Sequence, residues 1–567
     1  MGSICCRRRR LMTHVSLPAA AMSSHDLWIE EENTAAAALV FEILSDSYGA
    51  VSPSVYETAR LVTLAPWLAG HPQRVLFLLH SQRGDGGWGG PDGYGLVPTL
   101  SATEALLASL RRWQRGGNGQ LLDYAEVVSA ADRGLATLFG WLGANVRVVI
   151  PDTIAAEIVV PALVAQVNAH LDRLILEPVI GLDIWRGSGR LLLLPGVDDT
   201  LLARLDQLMY RGHALPTKLL HSLEALGPGV RGAGFVRPVQ GAVGCSPAAT
   251  AAWLPDRSGC RAAVGYLEAV QNRGRGPVPG VTPITGFERA WVLAALTGAG
   301  IGVMVPQRLA GSLHAAFGEF GVAAGPGLAP DADDTAVALY ALVQLGNPRS
   351  LECLLGYQVD THFSCFPDER TPSVSTNAHV LQTFGRYLDR DSSGRFRHHA
   401  AMGKLAGWLR DCQEPDGSWW DKWHASPYYA TACCATTLHR YSRSASVSTL
   451  SRAVQWLLDS QREDGSWGRW GGTYEETAYA VQTLLQTCVP RPDSAVEQAA
   501  ARGCVFLQRS AGHQKHPPLW HGKDLYTPIR VVRAEGLAAL HLAYANPHVA
   551  AIVGSWPAQE SERQVAG

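Results

Sequence analysis

Three carboxylates lie within four residues, at Asp331, Asp333 and Asp334, after a Gly/Pro-rich run and before an apolar one. Because like charges this close disfavour simultaneous ionisation, at least one of the three carboxyls is expected to keep its proton near neutral pH. Such a group is a candidate acid if it faces a cavity. A purely structural interpretation stays open, in which Asp333 or Asp334 caps a helix that begins near Thr335.

A turn motif, Q-x-x-D-G-x-W, occurs three times, at Gln82–Trp88, Gln413–Trp419 and Gln461–Trp467. An amphipathic stretch with helical spacing precedes each copy, and a further helix-like stretch follows it. Asp-Gly is a strong turn signal, because glycine tolerates a positive φ and aspartate can bond its own backbone. Each copy therefore predicts a helix–turn–helix unit of the kind that closes into bundles or toroids. Its Gln and Trp side chains are expected to tie neighbouring helices together.

The pattern predicts an all-α protein with two helical domains, because strand-like alternation is scarce. The first repeat lies far from the other two, with the acidic cluster between them, which places the domains at residues 51–300 and 301–567. Residues 26–50 are expected to form a helix that packs with the second domain. Residues 1–25 are expected to be a disordered tail or an upstream start, with Met12 or Met22 as the true start.

Composition narrows the classes of function. Apolar residues make up 47% of the chain and charged residues 17%, with 17 Trp, which favours a large buried surface or an apolar cavity. The net charge of -2, without a basic stripe beyond the first ten residues, argues against nucleic-acid binding. No uncharged apolar run approaches about 18 residues, so no transmembrane segment is predicted. The 11 scattered cysteines, without C-x-x-C, are expected to be reduced thiols of a cytoplasmic protein.

The D-x-D-D cluster and the repeats together resemble the class II terpene cyclases, most closely bacterial diterpene cyclases of the copalyl and terpentedienyl diphosphate synthase type. The resemblance runs from about Ser52 to Ala538. It includes the segments Ser52–Ala59, Leu96–Leu100, Pro151–Pro161, Gly244–Thr250, Arg370–His379, Asp421–Tyr429 and Trp520–Pro528. One departure is that the family's Tyr-Asp-Thr-Ala has Glu57 in place of the aspartate, a change that we expect to be tolerated.

The resemblance implies a general acid and its helpers. Asp333 would protonate the terminal alkene of a polyprenyl diphosphate, while Asp331 and Asp334 disfavour its ionisation or orient its proton. Asn377 and His379 would support or reprotonate it. For both, an ordinary helix-capping or core role is the alternative. The fold implied is two α-barrel (α/α toroid) domains, called γ and β, with the active site between them.

The resemblance also implies an apolar cavity with aromatic faces that shields a carbocation. Candidate lining residues are Trp291, Trp423, Tyr428 and Tyr429. Candidate diphosphate-binding residues are Lys422, Lys523 and Arg533. Asp152 and Glu157 fall in an acidic segment that the family associates with magnesium, so they are candidates for holding Mg2+, mostly through water. Any of these side chains could instead be an ordinary core or surface residue.

The chain has no D-D-x-x-D motif, which relatives with a third, class I α domain use to ionise the diphosphate. The product is therefore expected to keep its diphosphate. A separate class I terpene synthase or a phosphatase would then act downstream, and a homodimer is also open.

The expected reaction is the cyclisation of geranylgeranyl diphosphate to a bicyclic copalyl diphosphate, or to a rearranged kolavenyl or terpentedienyl type. One alternative is drimenyl diphosphate formation from farnesyl diphosphate. A second is a triterpene cyclase of the squalene-hopene type, which would carry more repeats and an apolar membrane-docking patch. A third is a helical toroid without this chemistry, similar to a prenyltransferase β subunit, which would more often show zinc ligands.

Overall fold

The computed structural model describes residues 24–116, 122–143, 149–254, 259–390, 395–487, 494–511 and 516–555. These ranges contain twenty-one α-helices, three 3-10 helices and one two-stranded sheet. The all-α prediction is confirmed. Of the expected tail, residues 1–25, residues 1–23 lie outside the described residues.

The N-terminal half contributes one closed ring of helices. The elements of this half are α1 (Ser24–Ser45), α2 (Val55–Leu64), α3 (His71–His80), α4 (Leu96–Gln114), α5 (Tyr124–Trp141), α6 (Ala156–Leu176), α7 (Thr200–Tyr210), α8 (Pro247–Trp253) and α9 (Arg261–Gly274), with 3-10 helices at Asp183–Trp185 and Thr217–Val230. The ring itself has five elements: α2, α4, α6, the second 3-10 helix and α8 each pack on the next, and α8 returns to α2. We call these five elements the N-terminal ring.

The C-terminal half contributes a second ring. Its elements are α10 (Thr285–Ala299), α11 (Gln307–Ala315), α12 (Ala332–Gln344), α13 (Glu352–Leu355), α14 (Val374–Arg390), α15 (Arg395–Asp411), α16 (Pro427–Ser442), α17 (Val447–Ser460), α18 (Tyr474–Thr487), α19 (Ser494–Ser510), α20 (Ile529–Ala545) and α21 (Pro547–Ser555), with a 3-10 turn at Arg443–Ala445. Between α19 and α20, β1 (Trp520–His521) pairs antiparallel with β2 (Leu525–Tyr526). Helices α10, α12, α14, α16, α18 and α20 pack in that order, and α20 closes on α10. We call these six the C-terminal ring.

The three repeated turns fold in the same way. In each, the indole N–H of the Trp donates to a carbonyl of the preceding helix, at 2.7 Å to Leu78, Leu409 and Leu457. The Gln amide donates to the turn glycine and to a carbonyl on a later helix, at 2.9 Å to Ala130, Thr449 and Ala499. The Gln and Trp side chains thus bridge helices as expected, and the Trp rings are fully buried.

The packing of α10 indicates where the boundary between the two domains lies. Helix α10 packs against α12 and α20 and shares their apolar core, so it belongs to the C-terminal ring. We therefore propose a boundary near residue 283, in place of the expected boundary at residue 300. Helix α1 packs against α10 and α20, which lie in the same ring.

Among the described helices, α6 is long and apolar enough to cross a membrane by length and composition. Of its most apolar window, 61% is buried within the protein, as expected for a helix in the wall of a barrel. Helices α20 and α21 pass the same test only together, and they are bent by 96° at their junction. Both findings are weak indications of membrane insertion.

Candidate active site

The acidic cluster forms the first turn of α12. Asp331 is the N-cap, and its Oδ1 accepts a hydrogen bond from the backbone N–H of Asp334 at 2.7 Å. The expectation that the helix begins near Thr335 behind a cap at Asp333 or Asp334 is therefore wrong. The Thr335 hydroxyl instead accepts from the Val322 N–H at 2.9 Å and ties this turn to the preceding segment.

Asp333 pairs with a histidine of the neighbouring helix α14. Its Oδ1 lies 2.7 Å from Nδ1 of His379, and the two side chains are only 12% and 11% exposed. Burial lowers the pKa of His379, but the adjacent Asp333 carboxylate outweighs burial and raises that pKa well above its usual value. The geometry fits a hydrogen bond in which Nδ1–H of His379 donates to this oxygen of Asp333.

The other two carboxyls resist ionisation. Burial, reinforced by the charge of Asp333, raises the pKa of Asp331 to about 7. Burial, followed by the charge of Asp331, raises the pKa of Asp334 well above its usual value. Because two neighbouring carboxyls favour their neutral forms, the cluster holds at least one proton at neutral pH.

All three carboxyls line a cavity of about 380 Å³, which we call the main cavity. The start of α6, Lys218 and His221 supply its wall from the N-terminal ring. Residues of α10, the first turn of α12, the segment 365–371 and the β1–β2 hairpin supply its wall from the C-terminal half. The cavity therefore lies between the two rings.

Aromatic rings form much of this wall. They are Phe287, Trp291, Phe366, Trp423, Trp520 and Tyr526. Trp291 stands edge-on to the His379 ring, with centroids 5.7 Å apart at an interplanar angle of 90°. Because aromatic faces attract cations in an apolar surrounding, this wall suits a short-lived carbocation. Tyr428, expected in the wall, lies outside the lining and packs on Trp456 at 4.6 Å.

A smaller cavity of about 130 Å³, which we call the rear chamber, adjoins His379. His379, Tyr429, Cys433 and Glu535 line it together with Trp291, which walls both cavities. Tyr429, expected in the wall of the main cavity, thus faces the rear chamber. The sulfur of Cys433 lies 3.5 Å from Nε2 of His379.

Two candidate magnesium ligands, Asp152 and Glu157, line the main cavity. Glu157 Oε1 accepts a hydrogen bond from Arg370 at 3.1 Å. Among the described residues, no group of three His, Cys, Asp or Glu side chains is arranged to hold a metal ion. Mg2+ commonly binds one or two carboxylates together with substrate phosphates, so the two side chains fit that mode better than a preformed cage.

The family model described as Squalene-hopene cyclase C-terminal domain matches residues 366–526. Over 514 residues the chain is 48% identical to the ent-copalyl diphosphate synthase of Streptomyces sp. (strain KO-3988), across 89% of this chain and 95% of that protein. The chain belongs to the bacterial class II diterpene cyclases. It is thus a protonation-initiated cyclase, and the triterpene-cyclase and non-catalytic alternatives fall away.

Further relatives of this cyclase agree. The terpentedienyl-diphosphate synthase of Kitasatospora griseola is 36% identical over 493 residues, 85% of this chain and 95% of that protein. The structure of ent-copalyl diphosphate synthase from Streptomyces platensis has a TM-score of 0.85 at 45% identity, covering 90% of the cyclase and 99% of that chain. An Arabidopsis thaliana ent-copalyl diphosphate synthase, with a TM-score of 0.54 at 17% identity, shares the fold.

Of the three basic candidates, only Lys422 lines the main cavity of the cyclase. Its Nζ donates to the Thr371 carbonyl at 2.8 Å and pairs with Glu369. Lys523 is 2% exposed and bound within an ionic cluster, with Glu224 at 2.7 Å. Arg533 pairs with Glu42 of α1 at 2.9 Å and does not line the main cavity. The expected diphosphate role of Lys523 and Arg533 therefore finds no place in this geometry.

The side chain of Asn377 forms its hydrogen bonds with backbone groups, and none of them is with Asp333. Its amide donates to the carbonyls of Phe363 and Ser373 at 2.9 and 2.8 Å, and its oxygen accepts from the Phe363 N–H at 2.7 Å. The nearby Cys365 carbonyl accepts from the Ala332 N–H at 3.0 Å. Asn377 thus steadies the segment that meets the start of α12.

Two cavity histidines were not predicted from the sequence. Nδ1 of His221 lies 2.7 Å from the Gly244 carbonyl, so that nitrogen carries the proton. Burial, followed by the charge of Lys523, lowers the pKa of His221 to about 3, which leaves Nε2 as an unprotonated acceptor. Burial lowers the pKa of His521 to about 4, and both of its nitrogens are engaged, by the Lys422 carbonyl and the Tyr94 hydroxyl.

Proposed function

We propose that the chain cyclises geranylgeranyl diphosphate to a bicyclic copalyl-type diphosphate and leaves the diphosphate in place. The observation that carries the proposal is the Asp333–His379 pair, held at 2.7 Å in the wall of an aromatic cavity between two helical rings. The names of the relatives support a diphosphate product of the copalyl or terpentedienyl type. The same relatives favour this substrate over farnesyl diphosphate.

Asp333 is proposed as the acid. An alkene is a very weak base, so the acid needs a strong driving force for proton transfer. Nδ1–H of His379 bonds one carboxyl oxygen of Asp333, which leaves the other oxygen to carry the proton, and the same bond stabilises the carboxylate that forms as that proton leaves. Asp331 and Asp334, which favour their neutral forms, add little negative charge that would oppose this transfer.

The wall of the main cavity is proposed to guide ring closure. Trp291, Phe287 and Trp520 present aromatic surface next to the acid and leave few groups able to attack a cation. Water is excluded by the same apolar surface. The shape of this wall would then decide which carbon carries the charge when the second ring has closed.

The rim of the cavity is proposed to hold the diphosphate. Lys218, Arg370 and Lys422 supply positive charge there. Asp152 and Glu157 would hold Mg2+, which when bound supplies positive charge against the phosphate oxygens. Arg370, now paired with Glu157, would be free to bind phosphate once a metal ion takes that carboxylate.

His221 is proposed as the base that ends the reaction. Its Nε2 has no hydrogen-bond partner among the described residues, and the side chain lines the main cavity. The fixed Nδ1–H···O=C bond keeps the accepting nitrogen free. His521 is less suitable, because the Tyr94 hydroxyl occupies its accepting nitrogen.

The proposal is tested by incubating purified protein with Mg2+ and geranylgeranyl diphosphate, farnesyl diphosphate or squalene, followed by dephosphorylation and mass spectrometry. A bicyclic C20 alcohol released only after phosphatase treatment is expected from geranylgeranyl diphosphate. A monocyclic or acyclic product, or turnover of squalene alone, would contradict the proposal. Chelation of Mg2+ is expected to raise KM more than it lowers kcat.

Because the product keeps its diphosphate, we propose that a class I terpene synthase or a phosphatase acts next. A cytoplasmic location is supported by the free thiols of the eight cysteines in the described ranges. The homodimer stays a prediction, to be measured by light scattering of the purified protein.

A further inference from the structure

Glu475, in the first turn of α18, is a carboxyl group buried directly behind the wall of the main cavity. Its side chain is 1% exposed and lines neither of the two cavities. Its Oε1 accepts a hydrogen bond from the indole N–H of Trp520 at 2.7 Å, and Trp520 lines the main cavity. One indole ring thus joins the cavity to a carboxyl group that no step of the cyclisation above uses.

Neutral donors surround the bonded oxygen of Glu475. Besides Trp520, the Tyr479 hydroxyl donates to Oε1 at 3.2 Å, and Nε2 of His424 lies 3.3 Å from it. The backbone N–H of Ser426 points at Nδ1 of His424 at 3.1 Å, closer than the Ser426 carbonyl at 3.3 Å. Nδ1 therefore carries no proton, and Nε2–H is the donor to Glu475. Donated hydrogen bonds favour the ionised form of a carboxyl group, so they favour Glu475 as a carboxylate.

This buried carboxylate lacks a cationic partner. Within the described part of the chain, no lysine or arginine forms an ion pair with Glu475, and its Oε2 has no hydrogen-bond partner. Two other buried carboxylates do have a cation, since Arg60 pairs with Glu104 and Lys523 with Glu57. Burying an unpaired charge is costly. The fold thus holds a negative charge behind the cavity wall without neutralising it.

The charge of Glu475 acts on groups of the cavity wall. Burial, followed by the charges of Asp334 and Glu475, raises the pKa of Tyr526, which lines the main cavity. The ring of Trp520 stands between Glu475 and the cavity. An indole whose N–H is bonded to an anion is polarised by it, which makes the ring face more attractive to a cation.

A series of aromatic contacts places Trp520 away from the acid Asp333. The successive centroid distances are 5.7 Å from His379 to Trp291, 4.3 Å from Trp291 to Phe287 and 5.4 Å from Phe287 to Trp520. In the proposed reaction the alkene is protonated beside Asp333, and each ring closure moves the positive charge along the chain toward the diphosphate. Trp520 is therefore positioned for a later cation and not for the first one.

We propose that Glu475 is the counter-ion of the cation that the second ring closure forms, and that it acts through Trp520. The inference rests on the proposed function. The carboxylate is in place before the reaction, so it attracts the developing cation without reorganisation and gives no such attraction to the neutral polyene. Glu475 does not touch the substrate and is a positioning residue, because the ring of Trp520 keeps it from bonding the cation or taking its proton.

The kinetic test removes the charge and keeps the hydrogen bond. In Glu475→Gln an oxygen still accepts from the indole N–H. Its kcat for bicyclic diphosphate is expected to fall about 30-fold, the factor for two unit charges about 8 Å apart at an effective dielectric constant of about 20. Its KM is expected to stay within about twofold of wild type, because the bound hydrocarbon is neutral.

Glu476→Gln is the matched control. Glu476 is the next residue, equally buried, but its carboxyl accepts from the hydroxyls of Ser426 and Thr473 and from no cavity-lining ring. Its kcat is expected to stay within about twofold of wild type. Glu475→Asp keeps the charge and is expected to regain part of the kcat lost in Glu475→Gln. An unchanged kcat in Glu475→Gln, or the same fall in Glu476→Gln, would overturn the counter-ion.

A cation mimic tests the charge without turnover. The probe is a bicyclic diphosphate with an ammonium nitrogen at the carbon that carries the charge after the second ring closure, and its neutral carbon analogue is the reference. By titration calorimetry with Mg2+ present, Glu475→Gln is expected to bind the ammonium probe about 30-fold more weakly and the neutral analogue as wild type does. Equal weakening of both, or of neither, would overturn the counter-ion.

If Glu475→Gln does not fold, Trp520→Phe keeps an aromatic ring without the N–H link and is expected to weaken the ammonium probe more than the neutral analogue. Equal effects on the two probes would again overturn the counter-ion. Wild-type protein that forms no bicyclic diphosphate would overturn the proposed cyclisation itself. Wild-type protein that forms it, with Glu475→Gln equally fast, would overturn the counter-ion alone.

Discussion

At the scale of single residues, the acid is distinguished by its partner. Three carboxyls share the first turn of α12, yet only Asp333 has a histidine nitrogen within hydrogen-bond distance of one oxygen. Replacing Asp333 by Asn is expected to reduce turnover of geranylgeranyl diphosphate by at least about 100-fold, because an amide has no acidic proton to give. Circular dichroism should show the same helical content as wild type, so that the loss of turnover is not a loss of the fold.

Asp459→Asn, at an exposed position of α17, is the control for this change and should leave turnover unaltered. Retained activity in Asp333→Asn would remove Asp333 from the acid role and leave capping as the function of the whole cluster.

The Asp333–His379 pair also makes a prediction about stability and pH. The pKa of His379 is raised in the folded protein, so the pair stabilises the fold fully below the unfolded pKa of about 6.5 and loses that effect as pH rises through the folded pKa. The free energy of unfolding lost in His379→Gln is therefore expected to be largest near pH 6 and to shrink at alkaline pH.

Urea unfolding of wild type and of His379→Gln between pH 6 and pH 10 measures this difference. A difference that grows with pH would contradict the charged pair. The same measurement on Asp333→Asn should show the same trend, because either change removes one partner.

At the scale of elements, Asp331 combines capping with tuning, and the two roles can be separated. Asn caps a helix about as well as Asp, whereas Ala costs roughly 1 kcal/mol. Asp331→Asn is therefore expected to keep the free energy of unfolding within about 0.5 kcal/mol of wild type, and Asp331→Ala to lose about 1 kcal/mol. Chemical denaturation measures both.

Measuring turnover by the two variants then separates the effect of Asp331 on the ionisation of its neighbours from its effect on helix capping. If Asp331 shapes the ionisation of its neighbours, both variants should be slower than wild type to a similar extent. Activity that follows stability alone, with Asp331→Asn fully active, would reduce Asp331 to a cap.

The repeated turns depend on glycine for a steric reason. Gly465 has a φ of +87°, and a Cβ there would lie 2.7 Å from the Arg502 carbonyl oxygen. Gly465→Ala is expected to cost about 2–3 kcal/mol of unfolding free energy, from backbone strain and the clash together. Gly116 has a φ of +88° with nothing within 4 Å, so Gly116→Ala should show the strain alone and cost about 1 kcal/mol. Equal losses would contradict the clash.

Sequence patterns predicted those features whose causes are local. The helix–turn–helix repeats follow from residues seven positions apart or fewer, and the acidic turn from four consecutive positions. Tyr428 and Tyr429 are adjacent, but only Tyr429 lines one of the two cavities described above, because the direction of each side chain depends on how α16 packs. Nothing local marks Glu535, since its chamber is formed by helices distant in sequence.

At the scale of the whole molecule, contacts between the two rings explain why Lys523, predicted to bind the diphosphate, is buried in an ion pair instead. Lys523 of the β1–β2 hairpin bonds Glu224, 299 residues earlier, and pairs with Glu57. The next residue, Asp524, accepts from the Ser54 hydroxyl at 2.7 Å and from the Tyr56 N–H at 3.0 Å. The hairpin, which also lines the main cavity, therefore ties the C-terminal half to the N-terminal ring.

Removing the lysine alone from this ionic cluster should destabilise the fold strongly, whereas replacing all three charged groups by neutral ones should destabilise it much less. Lys523→Met leaves two carboxylates buried without their cation, and losing one partner of a buried pair typically costs about 3–5 kcal/mol. Combining it with Glu57→Gln and Glu224→Gln removes the uncompensated charge, so the triple variant should recover most of that loss. Urea unfolding at pH 7 measures both variants. If the triple variant were no more stable than Lys523→Met, the lysine would act through packing rather than charge.

The same contact between the rings reaches the proposed base, because Nζ of Lys523 donates a hydrogen bond to the backbone carbonyl of His221. A shift in product pattern in the triple variant would therefore indicate that this contact positions His221.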